Sequence, residues 1–224
     1  MKTKSAPQYQ YIIFDLDNTL YPKEAGLMDA VSERILSYMV HHVAIPADDA
    51  PLKKLSYYQE FGTALRGLMH EYPDLDPVDF LEYVHNIKPE LFFKSSPPLD
   101  RMLHNIPLRK VVFTNSCLPH CWRVLDVLQV KAHFEKIFDV EAMGFRCKPD
   151  PLVYERLLDA LNVPGESCIM VEDSPRNLIP AKNLGMTTIL VDGHHRSLAV
   201  DYAVPTVFHV ENVLRELLPD SLLY

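Results

Sequence analysis

Asp15-Leu16-Asp17-Asn18-Thr19-Leu20 directly follows the apolar run Tyr11-Ile12-Ile13-Phe14, and this junction decides the fold. A short all-apolar run ending in carboxylates reads as a buried parallel strand that empties into a loop. Open α/β sheets place their ligands beyond the carboxyl ends of such strands. In an extended segment, residues two apart point the same way, so Asp15 and Asp17 converge on one small space. Two close carboxylates repel unless a cation or a shared proton intervenes. A hard dication such as magnesium, which takes oxygen ligands, is the simplest solution. The competing reading of these residues alone is an Asp-rich turn. The later segments weigh against it.

Outward from this junction the strand signature recurs. Strands are expected at residues 11–15, 110–114, 136–139, 167–172 and Thr187–Val191, with a sixth around 206–208. Helical patterns fall between them, at Leu118–Leu128, Pro151–Leu161, 175–184 and Val210–Leu217. Strands alternating with helices imply an α/β fold, a Rossmann-like parallel sheet covered on both faces. Asp150 suits an N-cap ahead of Pro151, and Gly185 a C-cap.

Residues 21–97 break that rhythm. Amphipathic patterns near 27–43, 51–71 and 77–84 are punctuated by Pro46, Pro73, Pro89 and Pro97-Pro98, with no strand between. The reading is a helical cap domain, 21–97, inserted between the first and second strands of a core built from 1–20 and 98–224. Such an insert over the sheet edge acts as a lid that excludes water and holds the non-reacting part of a substrate.

Composition narrows the function classes. The chain has 224 residues, 48% of them hydrophobic, and a formal net charge of -8. That charge argues against a nucleic-acid polymer as partner. No apolar run is long enough to span a bilayer, and the start of the chain lacks the apolar middle of a signal peptide, so the expectation is a cytoplasmic protein with no membrane partner. Cys117, Cys121, Cys147 and Cys168 read as buried free thiols in a reducing compartment. His41-His42 and His194-His195 read as solvated surface or loop histidines, since neither pair has a ligand partner at metal spacing.

Four segments at expected strand ends carry chemistry: Asp15 with Asp17; Thr114-Asn115-Ser116; Lys148; and Glu172-Asp173-Ser174. A hydroxyl and a carboxamide donate to phosphate oxygens, a lysine offsets phosphoryl charge as a compact cation, and the late acids complete a metal site. In this order they make a site for phosphoryl transfer, which is mostly positioning plus charge stabilisation.

With all four motifs in order over nearly the whole chain, the sequence resembles a haloacid dehalogenase superfamily hydrolase. Within it, the sequence is similar to the pyrimidine 5′-nucleotidase family over Phe14 to Pro22, the stretch from Tyr57 to Leu68, Tyr83-Val84-His85, and Leu108 to Asn115. Glu172 to Leu178 and Ala181 to Met186 extend the likeness. The resemblance implies that Asp15 attacks phosphorus and that Asp17 protonates the leaving oxygen, then activates water. It implies magnesium held by the Asp15 carboxylate, the Asp17 main-chain carbonyl and Asp173, with Glu172 acting through a water. Thr114 and Asn115 would bind the phosphoryl group and Lys148 would stabilise it. Dehalogenases of this fold lack an acid matching Asp17, because halide leaves without a proton, so its presence favours phosphate-ester hydrolysis. Asn18 departs from the Gly or Ala of many relatives.

The expected substrate is a small phosphate monoester, UMP or CMP. The alternatives are another small metabolite, such as a sugar phosphate or phosphoglycolate, or phosphomutase chemistry. In the cap, Tyr58, Gly62 and Thr63 are candidates for substrate contact. Tyr58 and Phe61 serve equally well as packing residues three apart on one helix face. Glycine is costly inside a helix, so a turn at Gly62 that exposes main-chain amides is expected. A signalling receiver domain shares the acid, threonine and lysine set, but its acid pair precedes the phosphorylated Asp and its domain is about half this length.

Overall fold

The computed structural model describes residues 9–191 and 198–219. β1 (Tyr11–Phe14), β2 (Arg109–Phe113), β3 (Lys136–Phe138), β4 (Cys168–Glu172), β5 (Thr187–Val191) and β6 (Tyr202–Val204) form one parallel sheet in the order β3-β2-β1-β4-β5-β6. From β1 the chain builds outward to β2 and β3, then returns to β4 on the other side of β1. That reversal opens a crevice at the carboxyl ends of β1, β2 and β4. Phe14 is in register with Val112 of β2 and Val171 of β4, so the residues beyond these three strands meet at one level.

Between β1 and β2 lie α1 (Leu27–His41), α2 (Ala50–Phe61), α3 (Ala64–Glu71), α4 (Pro77–His85) and α5 (Pro97–Asn105). Then follow α6 (Leu118–Leu128) after β2, α7 (Pro151–Leu161) after β3, α8 (Pro175–Asn183) after β4 and α9 (Val210–Leu217) after β6. Strand alternation sorts the core into two layers. Ile12, Phe14, Val112 and Val171 pack with α5, α6 and α9 on one face. Tyr11, Ile13, Val111 and Phe113 pack with α7 and α8 on the other. Burial on both faces is why β1 reads as an unbroken apolar run. The first four helices form their own cluster around Tyr38, Met39, Leu65, Leu68 and Phe80.

Two sequence expectations are corrected. The sixth strand is Tyr202–Val204, and Val207–His209 forms a 3-10 turn instead. Asp201 Oδ2 accepts from Thr188 N and Oγ1, both at 3.0 Å, which anchors the strand beside β5. Pro205 has no N–H and ends the ladder. Pro97-Pro98 does not merely punctuate. It opens α5, because proline suits a first helical turn, and Leu99, Met102 and Leu103 of that helix are buried on the sheet. The turn expected at Gly62 is present and divides the pattern over 51–71 into two helices.

The Asp150 cap is present, its side chain accepting from Leu152 N, and Gly185 adopts a left-handed φ of 87° after α8. All four cysteines are buried and free, and His41 and His42 are exposed. His194 and His195 lie outside the described residues. Among the described residues no helix is long and apolar enough to cross a membrane.

Candidate active site

Asp15 leaves the end of β1 with its N–H on Val171 O of β4 at 2.9 Å. The chain then turns, with Leu20 N on Leu16 O at 3.0 Å, through Asn18 at φ 61°. Asparagine visits this left-handed region more readily than most residues. The turn brings Thr19 Oγ1 back to donate to Asp15 Oδ2 at 3.0 Å. Asp15 is buried, 6% exposed.

Lys148 arrives from the loop before α7 and is 1% exposed. Its ammonium donates to Asp15 Oδ1 (2.7 Å), Glu172 Oε2 (2.7 Å) and Phe113 O (2.8 Å). All three hydrogens therefore have protein acceptors, and Lys148 acts on the pocket chiefly as a fixed positive charge. Asn115 holds it from behind: Lys148 N donates to Asn115 Oδ1 at 2.8 Å, and Asn115 Nδ2 donates to Lys148 O at 3.0 Å. The structure thus uses the Asn115 carboxamide to seat the lysine. Thr114 Oγ1 accepts from Ser116 N at 3.0 Å and borders the pocket.

The electrostatics are those of crowded acids. Burial, then the Glu172 charge, push Asp15 up to about 7 against the pull of Lys148. Burial likewise lifts Glu172 to about 7, with Lys148 opposing and Asp173 adding to the rise. Burial and the Asp15 charge raise Asp173 as well. Burial alone would lower Lys148, but Asp15 and Glu172 outweigh it and raise it.

Carboxylate oxygens of Asp15, Glu172 and Asp173 lie within 4.8 Å of one another. This all-oxygen set, ionised only at a cost, fits a hard dication. Glu172 is already engaged, with Oε2 on Lys148 and Oε1 accepting from Ser174 N at 3.2 Å. The Asp17 carboxylate is not in the cluster. Its Oδ1 accepts from Tyr21 OH (2.6 Å) and His120 Nε2 (2.8 Å), and its Oδ2 from Ser116 Oγ (2.6 Å). Burial opposes ionisation here too, yet His120 and these hydrogen bonds hold Asp17 well below the usual carboxylate range.

Tyr21 and His120 were not legible as site residues, and Ser116 was legible only as part of the Thr114-Asn115-Ser116 segment, not as a partner of Asp17. Their one sequence signal is weak: His120 shares the apolar face of α6 with Val124 and Leu128, an odd place for a polar ring.

The cap closes the other side. The cavity, about 240 Å³, has the acids, Thr114, Asn115 and Lys148 on its core wall and Val31, Leu65, Phe80, Leu81 and His85 on its cap wall. Tyr58 and Thr63 also border it, Tyr58 at 49% exposure, while Phe61 packs against Tyr57 and His70. Gly62 ends α2 at φ 91°, and Thr63 Oγ1 caps α3 by accepting from Arg66 N at 3.2 Å. Arg176 reaches from α8 to the last carbonyls of α2, Tyr58 O at 2.6 Å and Gln59 O at 2.8 Å.

A Cβ at Gly62 would meet Lys148 O at 2.8 Å and Pro149 Cδ at 3.0 Å. Gly62→Ala is therefore expected to cost about 1–3 kcal/mol from the left-handed φ alone. It is also expected to lower kcat by displacing the Lys148 main chain. Denaturant melts and steady-state rates check both; a variant with wild-type kcat would show that this contact does not set Lys148.

The family profile described as haloacid dehalogenase-like hydrolase matches residues 9–185. The chain belongs to this family. It is 25% identical over 214 residues to "Phosphate metabolism protein 8" of Saccharomyces cerevisiae, covering 88% of this chain; the chain spans 64% of that relative's length. It is 26% identical over 220 residues to "Phosphorylated carbohydrates phosphatase" of Thermotoga maritima, covering 92% of this chain and 99% of that one. Among solved structures, a haloacid dehalogenase (HAD) phosphatase from Thermococcus onnurineus aligns with a TM-score of 0.62 at 18% identity, over 92% of this chain and 97% of that one. This last likeness concerns the fold of the present hydrolase.

Proposed function

We propose that this hydrolase is a magnesium-dependent phosphomonoesterase that works through an aspartyl phosphate on Asp15, with a pyrimidine nucleoside 5′-monophosphate, UMP or CMP, as substrate. The observation that carries the proposal is the Asp15–Lys148–Glu172 cluster beside Asp173, at the sheet edge and under a helical cap. Relatives named for phosphate metabolism and for a phosphatase support the reaction class. Residues 21–97 act as the cap domain over a core of 1–20 and 98–224. The buried free thiols favour a reducing, cytoplasmic setting.

The Asp15 carboxylate, the Asp17 main-chain carbonyl and Asp173 would hold the metal, with Glu172 behind them. Bound magnesium supplies positive charge that lets an anionic nucleophile meet an anionic ester. The chain's own residues do the rest. An Asp15 oxygen forms a bond to phosphorus as the ester P–O bond breaks. Asp17, ionised in the free protein, takes up a proton as the anionic ester enters, gives it to the departing oxygen, then takes one from the water that cleaves the Asp15 acyl phosphate, releasing phosphate. Lys148 and Thr114 steady the phosphoryl oxygens, and Asn115 keeps Lys148 in place. Tyr58 and Thr63, which border the cavity, face the remote part of the substrate, and Gly62 sets the turn between their helices.

Initial rates over a panel of esters test the substrate class. UMP and CMP are expected to exceed sugar phosphates and phosphoglycolate by about tenfold or more in kcat/KM, a margin that a few polar contacts supply. The Thermotoga likeness favours a sugar phosphate as second reading, so a reversed ranking would install that one.

Magnesium dependence has a stability signature. With Asp15 and Glu172 raised to about 7, their ionisation costs the metal-free protein stability as pH rises from the ordinary carboxylate range toward 7. Metal binding favours the ionised acids. The rise in Tm on adding magnesium is expected to be larger near pH 7.5 than near 5.5; equal rises would exclude these carboxylates as the site.

A further inference from the structure

We infer that His120 is a positioning residue that aims the Asp17 carboxyl group at the leaving-group oxygen, through the fixed direction of its Nε2–H. The inference rests on Asp17 being the acid that protonates that oxygen.

Three donors converge on Asp17, and they differ in kind. Tyr21 and Ser116 offer hydroxyls, whose hydrogens swing about the C–O bond. The imidazole N–H cannot rotate independently of its ring. A carboxylate acceptor at 2.8 Å assigns the hydrogen to Nε2. Nδ1, also buried, has no hydrogen-bond partner among the described residues, so no second bond competes for the ring's orientation.

The ring is fully buried, 0% exposed. The start of α6, which carries it, is fixed by Asp139 Oδ2, which accepts from Leu118 N at 2.9 Å. His85 of the cap helix α4 packs against the ring, centroids 4.6 Å apart and planes tilted by 36°. Arg123 of α6 ties the two helices by donating to His85 O at 2.7 Å. The direction in which His120 points is thus set by the contact between cap and core. A wedge of this kind makes the aim of Asp17 depend on the cap being in place.

The test separates aiming from mere support. Departure of p-nitrophenolate needs little proton donation, whereas departure of the alkoxide from UMP needs a well-placed acid, and kcat/KM reports this first chemical step. His120→Leu is expected to lower kcat/KM for UMP by roughly tenfold or more, but for p-nitrophenyl phosphate by no more than about threefold. His120→Gln, which keeps an N–H at similar reach, is expected to recover most of the UMP rate. Equal losses on both esters in His120→Leu would overturn the inference, and so would a Gln variant no better than Leu on UMP. Asp17→Asn, measured alongside, distinguishes the levels. If it lacks a leaving-group-dependent loss, Asp17 is not the acid. If it shows one and His120→Leu does not, the role of His120 alone falls.

Discussion

Asp15→Asn is expected to lower kcat by roughly 10⁴-fold or more, since an amide oxygen is a poor nucleophile and no neighbouring group replaces it. The fold is expected to survive and to gain stability. The Asn oxygen can still accept from Thr19 or Lys148. The change also removes one of three crowded acids whose ionised form the folded state disfavours. Loss of activity with a raised Tm, measured without metal near pH 7.5, is the pattern of a site that trades stability for function. Turnover within about tenfold of wild type would remove Asp15 from the nucleophile's role.

Lys148→Met is expected to damage both stability and activity. Methionine keeps most of the stem but leaves Asp15 and Glu172 buried without their shared cation. Breaking a buried ion pair from one side costs about 3–5 kcal/mol. The cost has a definite pH dependence. It is largest above the raised values of the two acids, where both are ionised. It shrinks as pH falls through about 7 and they take up protons. Urea unfolding near pH 5.5 and 7.5 checks this, and a pH-independent loss would mean that packing, not charge, is what Lys148 supplies. Activity is expected to fall by about 10²–10³, the usual loss when one charge-stabilising group is removed.

Much of the site was readable because strand ends are local events. The Tyr11–Phe14 run and Asp15 are adjacent in the chain, and so are the β2 strand and Thr114, and β4 and Glu172. Residue type at a strand end thus announced its place at the crevice. Asn115 was legible as a site residue, but its engagement with the Lys148 main chain was not, because the two are 33 positions apart. The sixth strand was misplaced because Thr206-Val207-Phe208 looks β-prone locally, while Asp201 and Pro205 decide where pairing begins and ends.

By itself the sequence determined the parallel sheet, the helical insert and the set of acids, hydroxyl and lysine, because apolar periodicity and strand-end chemistry are written over short stretches of chain. Only the tertiary structure decided which way those side chains face. It turned Asp17 away from the acid cluster toward Tyr21, Ser116 and His120, spent every Lys148 hydrogen on protein acceptors, and set Gly62 against the Lys148 carbonyl. Most of these are contacts between segments far apart in the chain, and the one at Gly62 forms only when the cap folds onto the core. Hydrogen bonds act over about 3 Å, so spacing along the chain carries no record of them.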